Sequence, residues 1–202
     1  MTGSRGPLPR VLVASDGRAP LDLDEPLASA VVLRDLDLAT LVVAALSTRP
    51  PLALDIDSVE GLNADAAGAR FVVEELGIGV VLTRRPAIAV QVAEMGGQGL
   101  LRVFAFDSTG LGRSLEGHPT HPRVGTTISP GPVLAHLSPQ DVARLPRPIV
   151  AYGLIATTAI ARSLLARADG VVLAPDLAAA LVREGLPTQT GREALDMGVP
   201  LG

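Results

Sequence analysis

The chain has 202 residues, enough for one sizeable core, and is 48% apolar but only 2% aromatic, so small and branched aliphatics must fill the interior. It carries a formal net charge of -4, its 17 basic residues are all arginine, and it has no cysteine, which excludes disulfides, cysteine metal sites and thiol catalysis. The absence of lysine excludes Schiff-base chemistry, and no Arg-rich run or aromatic set of a generic nucleic-acid binder is present.

The first ten residues, MTGSRGPLPR, are polar and rich in Pro and Gly. They read as a flexible N-terminus (1–10) with no signal-peptide core. No stretch approaches about 18 continuous apolar residues, so a cytoplasmic protein with no membrane association is expected. A single domain is predicted over 11–185, with 186–202 as a C-terminal tail or short helix around GREALDMG.

Eight short apolar runs follow in order. They are VLVA from Val11, AVVL from Ala30, PLALDI from Pro51 and GVVLT from Gly79, then LLRVFAF from Leu100, VGTTI from Val124, PIVAY from Pro148 and GVVLA from Gly170. They are short, often β-branched and show little polar alternation, as parallel strands covered on both faces do. Between them lie helical segments. LDLATLVVAAL is apolar and periodic. NADAAGARFVVEELG offers Asn63 as N-cap, Gly77 as a stop and Ala67, Phe71 and Val72 as a buried face. Pro86 opens a helix near N1 that Gly96 closes. Ser138 caps another, with Asp141 at capping-box spacing. Thr157 caps the helix after strand seven, and APDLAAALVREG follows strand eight. STGLGRSLEGHPTHP carries two prolines and reads as one turn plus a loop.

Strand then helix, repeated about eight times, is the pattern of a compact TIM-type (β/α)8 barrel, an α/β fold, here with an irregular unit after strand five. An open doubly wound sheet with fewer strands is the alternative. In a barrel the strand C-termini form the ligand face. Asp55, Asp57, Thr83, Arg84, Asp107, Thr127 and Gly153 fall at or just past predicted strand ends. Arg102 lies inside an apolar strand and needs a partner if buried, which Asp55 or Asp107 would supply. No catalytic set is apparent. His118 and His121 in HPTH lack a ligand spacing and read as loop residues, so no metal site is assigned. Asp55, Asp57 and Asp107 would hold Mg²⁺ only if the chain were a barrel enzyme acting on a small phosphorylated compound.

In this order, DIDSVEGLNADAAGARFV (Asp55 to Val72), GVVLTRRPAIAVQVAEMGG (Gly79 to Gly97), LLRVFAFDS (Leu100 to Ser108) and ISPGPV (Ile128 to Val133) resemble the glycerol-3-phosphate-responsive antiterminator family, regulators of glycerol uptake operons. Asp65 matches the aspartate of its Gly-Leu-x-x-Asp element. Thr83 and Arg84 match its strand-four pair, and Arg102, Asp107 and Ser108 match strand five. The chain departs from the family pattern at Thr127, Tyr152 and Leu173-Ala174-Pro175, which implies a degenerate phosphate-binding region. The resemblance implies a TIM-like barrel that is not an enzyme, needs no cofactor, senses glycerol 3-phosphate and acts on the leader mRNA of glycerol genes. A homodimer would broaden the RNA surface. The expected pocket takes the anion chiefly on Arg84, with Gly153 and Thr157 nearby. Asp55 accepts from a ligand hydroxyl or from Arg102. The plainer alternative has Arg84 pairing with Asp55 or Asp107 across the mouth.

Overall fold

Runs such as AVVL and IVAY are buried at every position, which a strand achieves only with apolar cover on both faces. A barrel provides that cover, with its own interior on one side and a helical layer on the other. The computed structural model describes residues 8–17, 30–47, 51–105 and 107–185. Phe106, residues 1–7 of the expected N-terminal segment and the whole of the expected tail, 186–202, lie outside the described residues.

The parallel strands are β1 (Val11–Ser15), β2 (Ala30–Leu33), β3 (Leu52–Asp55), β4 (Val80–Thr83), β5 (Gln98–Phe104), β6 (Val124–Ser129), β7 (Ile149–Tyr152) and β8 (Gly170–Leu173). They close in the order β1-β8-β7-β6-β5-β4-β3-β2, with β1 pairing β2. The predicted closed eight-stranded barrel is thus the observed one. Leu12 fixes the closure, standing beside Ala30 on one side and Val172 on the other.

Alternate residues divide the core. Leu12, Val32, Leu82, Leu100, Val150 and Val172 fill the barrel interior as one cluster. Their neighbours along the strands, among them Val31, Leu54 and Val81, pack outward against helices. On the β5–β8 side, Val103, Ile128, Ala151 and Leu173 do the same. The period of two along each strand sets this division.

The helices are α1 (Leu38–Ser47), α2 (Ala66–Arg70, continued by a π-helical turn over Phe71–Glu75), α3 (Pro86–Glu94), α4 (Ser108–Glu116), α5 (Pro139–Arg144), α6 (Thr158–Leu165) and α7 (Pro175–Arg183). Pro86 opens α3, and Ser138 and Thr157 cap α5 and α6, as their sequence signals predict. The cap of α2 differs from expectation. Asp65, two residues beyond Asn63, accepts from the Gly68 amide at 2.9 Å. That later start turns Ala67 outward and buries Ala69, Val72 and Val73. After β5 the chain forms more helix than one turn, with Asp107 accepting from the Gly110 amide at 2.6 Å to cap α4. Pro119 and Pro122 fall in the loop beyond it. Among the described residues no helix is long and apolar enough to cross a membrane.

Two features outside the barrel shape its rim. Leu36–Asp37 and Val59–Glu60 form a small parallel pair that ties the loop after β2 to the loop after β3. Gly99 lets α3 lie directly on β5, since a Cβ there would stand 2.3 Å from the Ala89 carbonyl oxygen.

Candidate ligand site at the barrel mouth

The last inward positions of the strands surround the C-terminal mouth. On β3 the inward alternation runs from Ala53 to Asp55, and on β5 from Leu100 to Arg102. Thr127 is register partner to Arg102, and Tyr152 closes β7. Asp55 and Arg102 are joined by a bond of 2.6 Å from Arg102 Nη2 to Asp55 Oδ2. Their side chains are only 4% and 11% exposed. Tyr152 lies beneath the Arg102 guanidinium, with 4.6 Å from the guanidinium carbon to the ring centre.

This pair is joined at a single point. Asp55 Oδ1, Arg102 Nε and Thr127 Oγ1 are buried without a hydrogen-bond partner. Each such atom costs about 1–3 kcal/mol, and the three stand on β3, β5 and β6, with Arg102 and Thr127 on neighbouring strands and β4 between Asp55 and Arg102. Burial pushes the Asp55 carboxyl above its usual range against the pull of Arg102. Burial also raises the Tyr152 phenol, with Arg34 and Arg102 pulling the other way.

A second cluster stands beside it. Asp57 sits in the 3-10 turn Ile56–Ser58 that follows β3. Its carboxylate, 4% exposed, accepts from the Arg84 amide at 2.5 Å and the Thr83 hydroxyl at 3.3 Å. Arg84 Nε adds a bond of 3.4 Å, and Arg85 Nε lies at 3.8 Å. Arg85 also donates to the Ala64 carbonyl.

The expected site residues therefore separate into groups. Asp55, Arg102 and Thr127 come together in the mouth, and Asp57, Thr83 and Arg84 form the neighbouring cluster. Arg84 pairs with Asp57, not with Asp55 or Asp107. Asp107 is used as the α4 cap. Gly153 and Thr157 follow β7, three strand positions around the barrel from β4 and Arg84. Thr157 accepts from the Ile160 amide at 3.2 Å. His118 meets Thr126 Oγ1 at 3.3 Å and the Pro119 carbonyl at 3.2 Å. His121 Nδ1 accepts from the Arg123 amide. Among the described residues no group of three or more His, Cys, Asp or Glu side chains is placed to hold a metal ion.

Sequence reasoning missed Arg34. It follows β2, and its guanidinium carbon stands 5.6 Å from the same Tyr152 ring. The available signal was its place as the first residue past a fully buried run, the position that singled out Arg84 after β4.

Comparison with known proteins agrees with this architecture. A glycerol uptake operon antiterminator-related protein from Thermotoga maritima is 21% identical with a TM-score of 0.67, covering 84% of this chain and 98% of that one. A glycerol uptake operon antiterminator regulatory protein from Listeria monocytogenes is 20% identical with a TM-score of 0.66, covering 81% and 90%. Orotidine 5'-phosphate decarboxylase from Pyrococcus horikoshii shares the fold at 16% identity and a TM-score of 0.56, covering 86% and 98%. Among curated proteins none matches the chain. The family described as glycerol-3-phosphate responsive antiterminator matches residues 27–174, most of the barrel. With that span matched and the barrel closed, the chain belongs to the glycerol-3-phosphate responsive antiterminator family.

Proposed function

We propose that the protein is a glycerol-3-phosphate-responsive antitermination regulator that binds the leader mRNA of glycerol metabolism genes. Beyond family membership, one observation carries the effector reading: Asp55 Oδ1, Arg102 Nε and Thr127 Oγ1 are buried and unpartnered at the mouth. Together they offer an acceptor, a donor and a hydroxyl that is both. A hydroxyl group of a polyol donates and accepts at once, so it complements this set. A phosphate ester further requires a cation, and arginine at the mouth is the side chain that can supply one.

A magnesium-dependent enzyme is the poorer reading. Asp57 is engaged by Arg84 with Thr83 and Asp107 by the Gly110 amide, so of these three carboxylates only Asp55 keeps a buried oxygen without a partner, fewer oxygen ligands than Mg²⁺ takes.

Filter binding of a glycerol-gene leader RNA tests the regulatory role, run with and without glycerol 3-phosphate over a range of salt. The expected result is binding that depends on the effector and weakens as salt screens phosphate contacts. RNA binding that ignores the effector, or no salt-sensitive binding at micromolar protein, would remove the proposal.

A further inference from the structure

On the polyol reading the unpartnered atoms take hydroxyls, and the ligand's charge is unassigned. Among the described residues four arginines stand near the mouth, and their engagements differ: Arg85 faces Asp57 and donates to the Ala64 carbonyl. Arg84 is 56% exposed and turned onto Asp57, a buried carboxylate that also accepts from the Arg84 amide. Side chain and backbone of one residue thus serve a single buried acceptor, and the guanidinium is part of the rim's construction. Arg102 lies deeper, on the mouth floor.

Arg34 is placed differently. β2 and β3 run in register with Leu33 beside Leu54, and one further step sets Arg34 beside Asp55. Its guanidinium approaches Tyr152, as that of Arg102 does. Arg34 starts from β2 and Arg102 from β5, yet both reach the ring at the end of β7. Two cations from different strands therefore approach the same ring. The carboxylate that Arg34 meets is its chain neighbour Asp35, which is 56% exposed and 2.5 Å away. An exposed pair of this kind contributes little, so an incoming anion can replace Asp35 at small cost.

We propose that the mouth is built for a short polyhydroxylated anion whose charge is held by Arg34 and whose hydroxyl inserts between Arg102 Nε and Asp55 Oδ1, with Arg84 serving the rim alone. The inserted hydroxyl accepts from Nε and donates to Oδ1, which gives both orphaned atoms a partner. Thr127 Oγ1 stands ready for a second hydroxyl. Tyr152, 7% exposed at the end of β7, is the ring that both guanidiniums approach. This rests on the polyol reading given above and names the residue that takes the charge.

Calorimetry on the full chain separates the possibilities. The ligands are glycerol 3-phosphate, glycerate, inorganic phosphate and glycerol, and the proteins are wild type, Arg34→Gln, Arg34→Lys and Arg84→Gln. Arg34→Gln should weaken the anionic polyol by about tenfold or more, and Arg84→Gln by no more than about twofold. Arg34→Lys, which keeps charge but loses the fork, should fall between wild type and Arg34→Gln. Circular dichroism of each variant separates loss of binding from loss of fold, and Arg34→Lys keeps the test open if Arg34→Gln fails to fold. Glycerate binding that depends on Arg34 without glycerol 3-phosphate binding would remove the effector assignment and leave this inference standing. An effect of Arg84→Gln with none at Arg34 would overturn this inference and leave the effector assignment standing. If neither anion binds wild type, both fail.

Discussion

Asp55 and Asp57 are two residues apart, and their side chains are equally buried at 4% exposure. One ends an inward-facing strand, and the other sits in the turn beyond it. Asp57 gathers a backbone amide, a hydroxyl and two guanidinium contacts. Asp55 receives one guanidinium nitrogen and keeps its other oxygen unmatched. Burial alone does not distinguish a ligand-binding carboxylate from a structural one. The acceptor capacity left over does, because a saturated carboxylate has no room for another donor and a half-satisfied one does.

The contrast breaks most visibly at Asp55. Asp55→Ala leaves the Arg102 guanidinium buried without a counter-charge, and breaking such a pair should cost about 3–5 kcal/mol. Replacing both partners, Asp55→Leu with Arg102→Met, should recover most of that loss, because two apolar groups of similar size need no compensation. Urea denaturation measures both. A single variant within about 1 kcal/mol of wild type would mean that the pair is solvated and the mouth is not a dry site.

Asp57 should give the next largest effect. Asp57→Ala removes the acceptor of the Arg84 amide and of the Thr83 O–H, which should cost about 2–3 kcal/mol. The same variant should bind ligand as wild type does once folded. A weakened ligand affinity at full folding would merge the two clusters into one site.

The smallest signal is a slope with pH. Burial holds the Asp55 carboxyl above its ordinary value of 3.8, so the folded chain keeps this proton more tightly than the unfolded chain. Stability from this group is full below 3.8 and declines as pH rises through the raised folded value. Asp55→Asn removes the decline. Denaturation of both proteins across that acidic window compares the curves, and parallel curves would show that Asp55 titrates alike in both states.

Much of the fold was legible because buried parallel strands leave a blunt signal. AVVL, IVAY and GVVL are apolar throughout, and nothing but cover on both faces explains them. Local caps were legible where the cap and its target are close in sequence, as at Ser138 and Thr157. The α2 start was misread because Asn63 and Asp65 are both good caps, and packing of Ala69 and Val72 decides between them. In the mouth, the need of Arg102 for a carboxylate was readable, with Asp55 and Asp107 both open, and the structure selects Asp55. Arg34 stood in the same position past a buried run that singled out Arg84, but its approach to Tyr152 was not readable, because that ring lies on a strand distant in sequence. The Leu36–Asp37 pairing with Val59–Glu60 was invisible for the same reason, since two residues carry no periodicity.

That small pair has a mechanical meaning. The Ser58 hydroxyl accepts from the Asp35 amide at 3.0 Å and donates to the Asp55 carbonyl at 3.0 Å, next to the register that joins Leu36 to Val59. The segments bearing Arg34, Asp55 and Asp57 are thus fastened to one another outside the barrel wall. Such a cross-tie is expected to make them a single cooperative opening unit, which hydrogen exchange would report as similar protection at the amides of 35–37 and 59–60. Any movement of Arg34 toward a guest is then a side-chain rotation on a braced collar, and the loops need not travel.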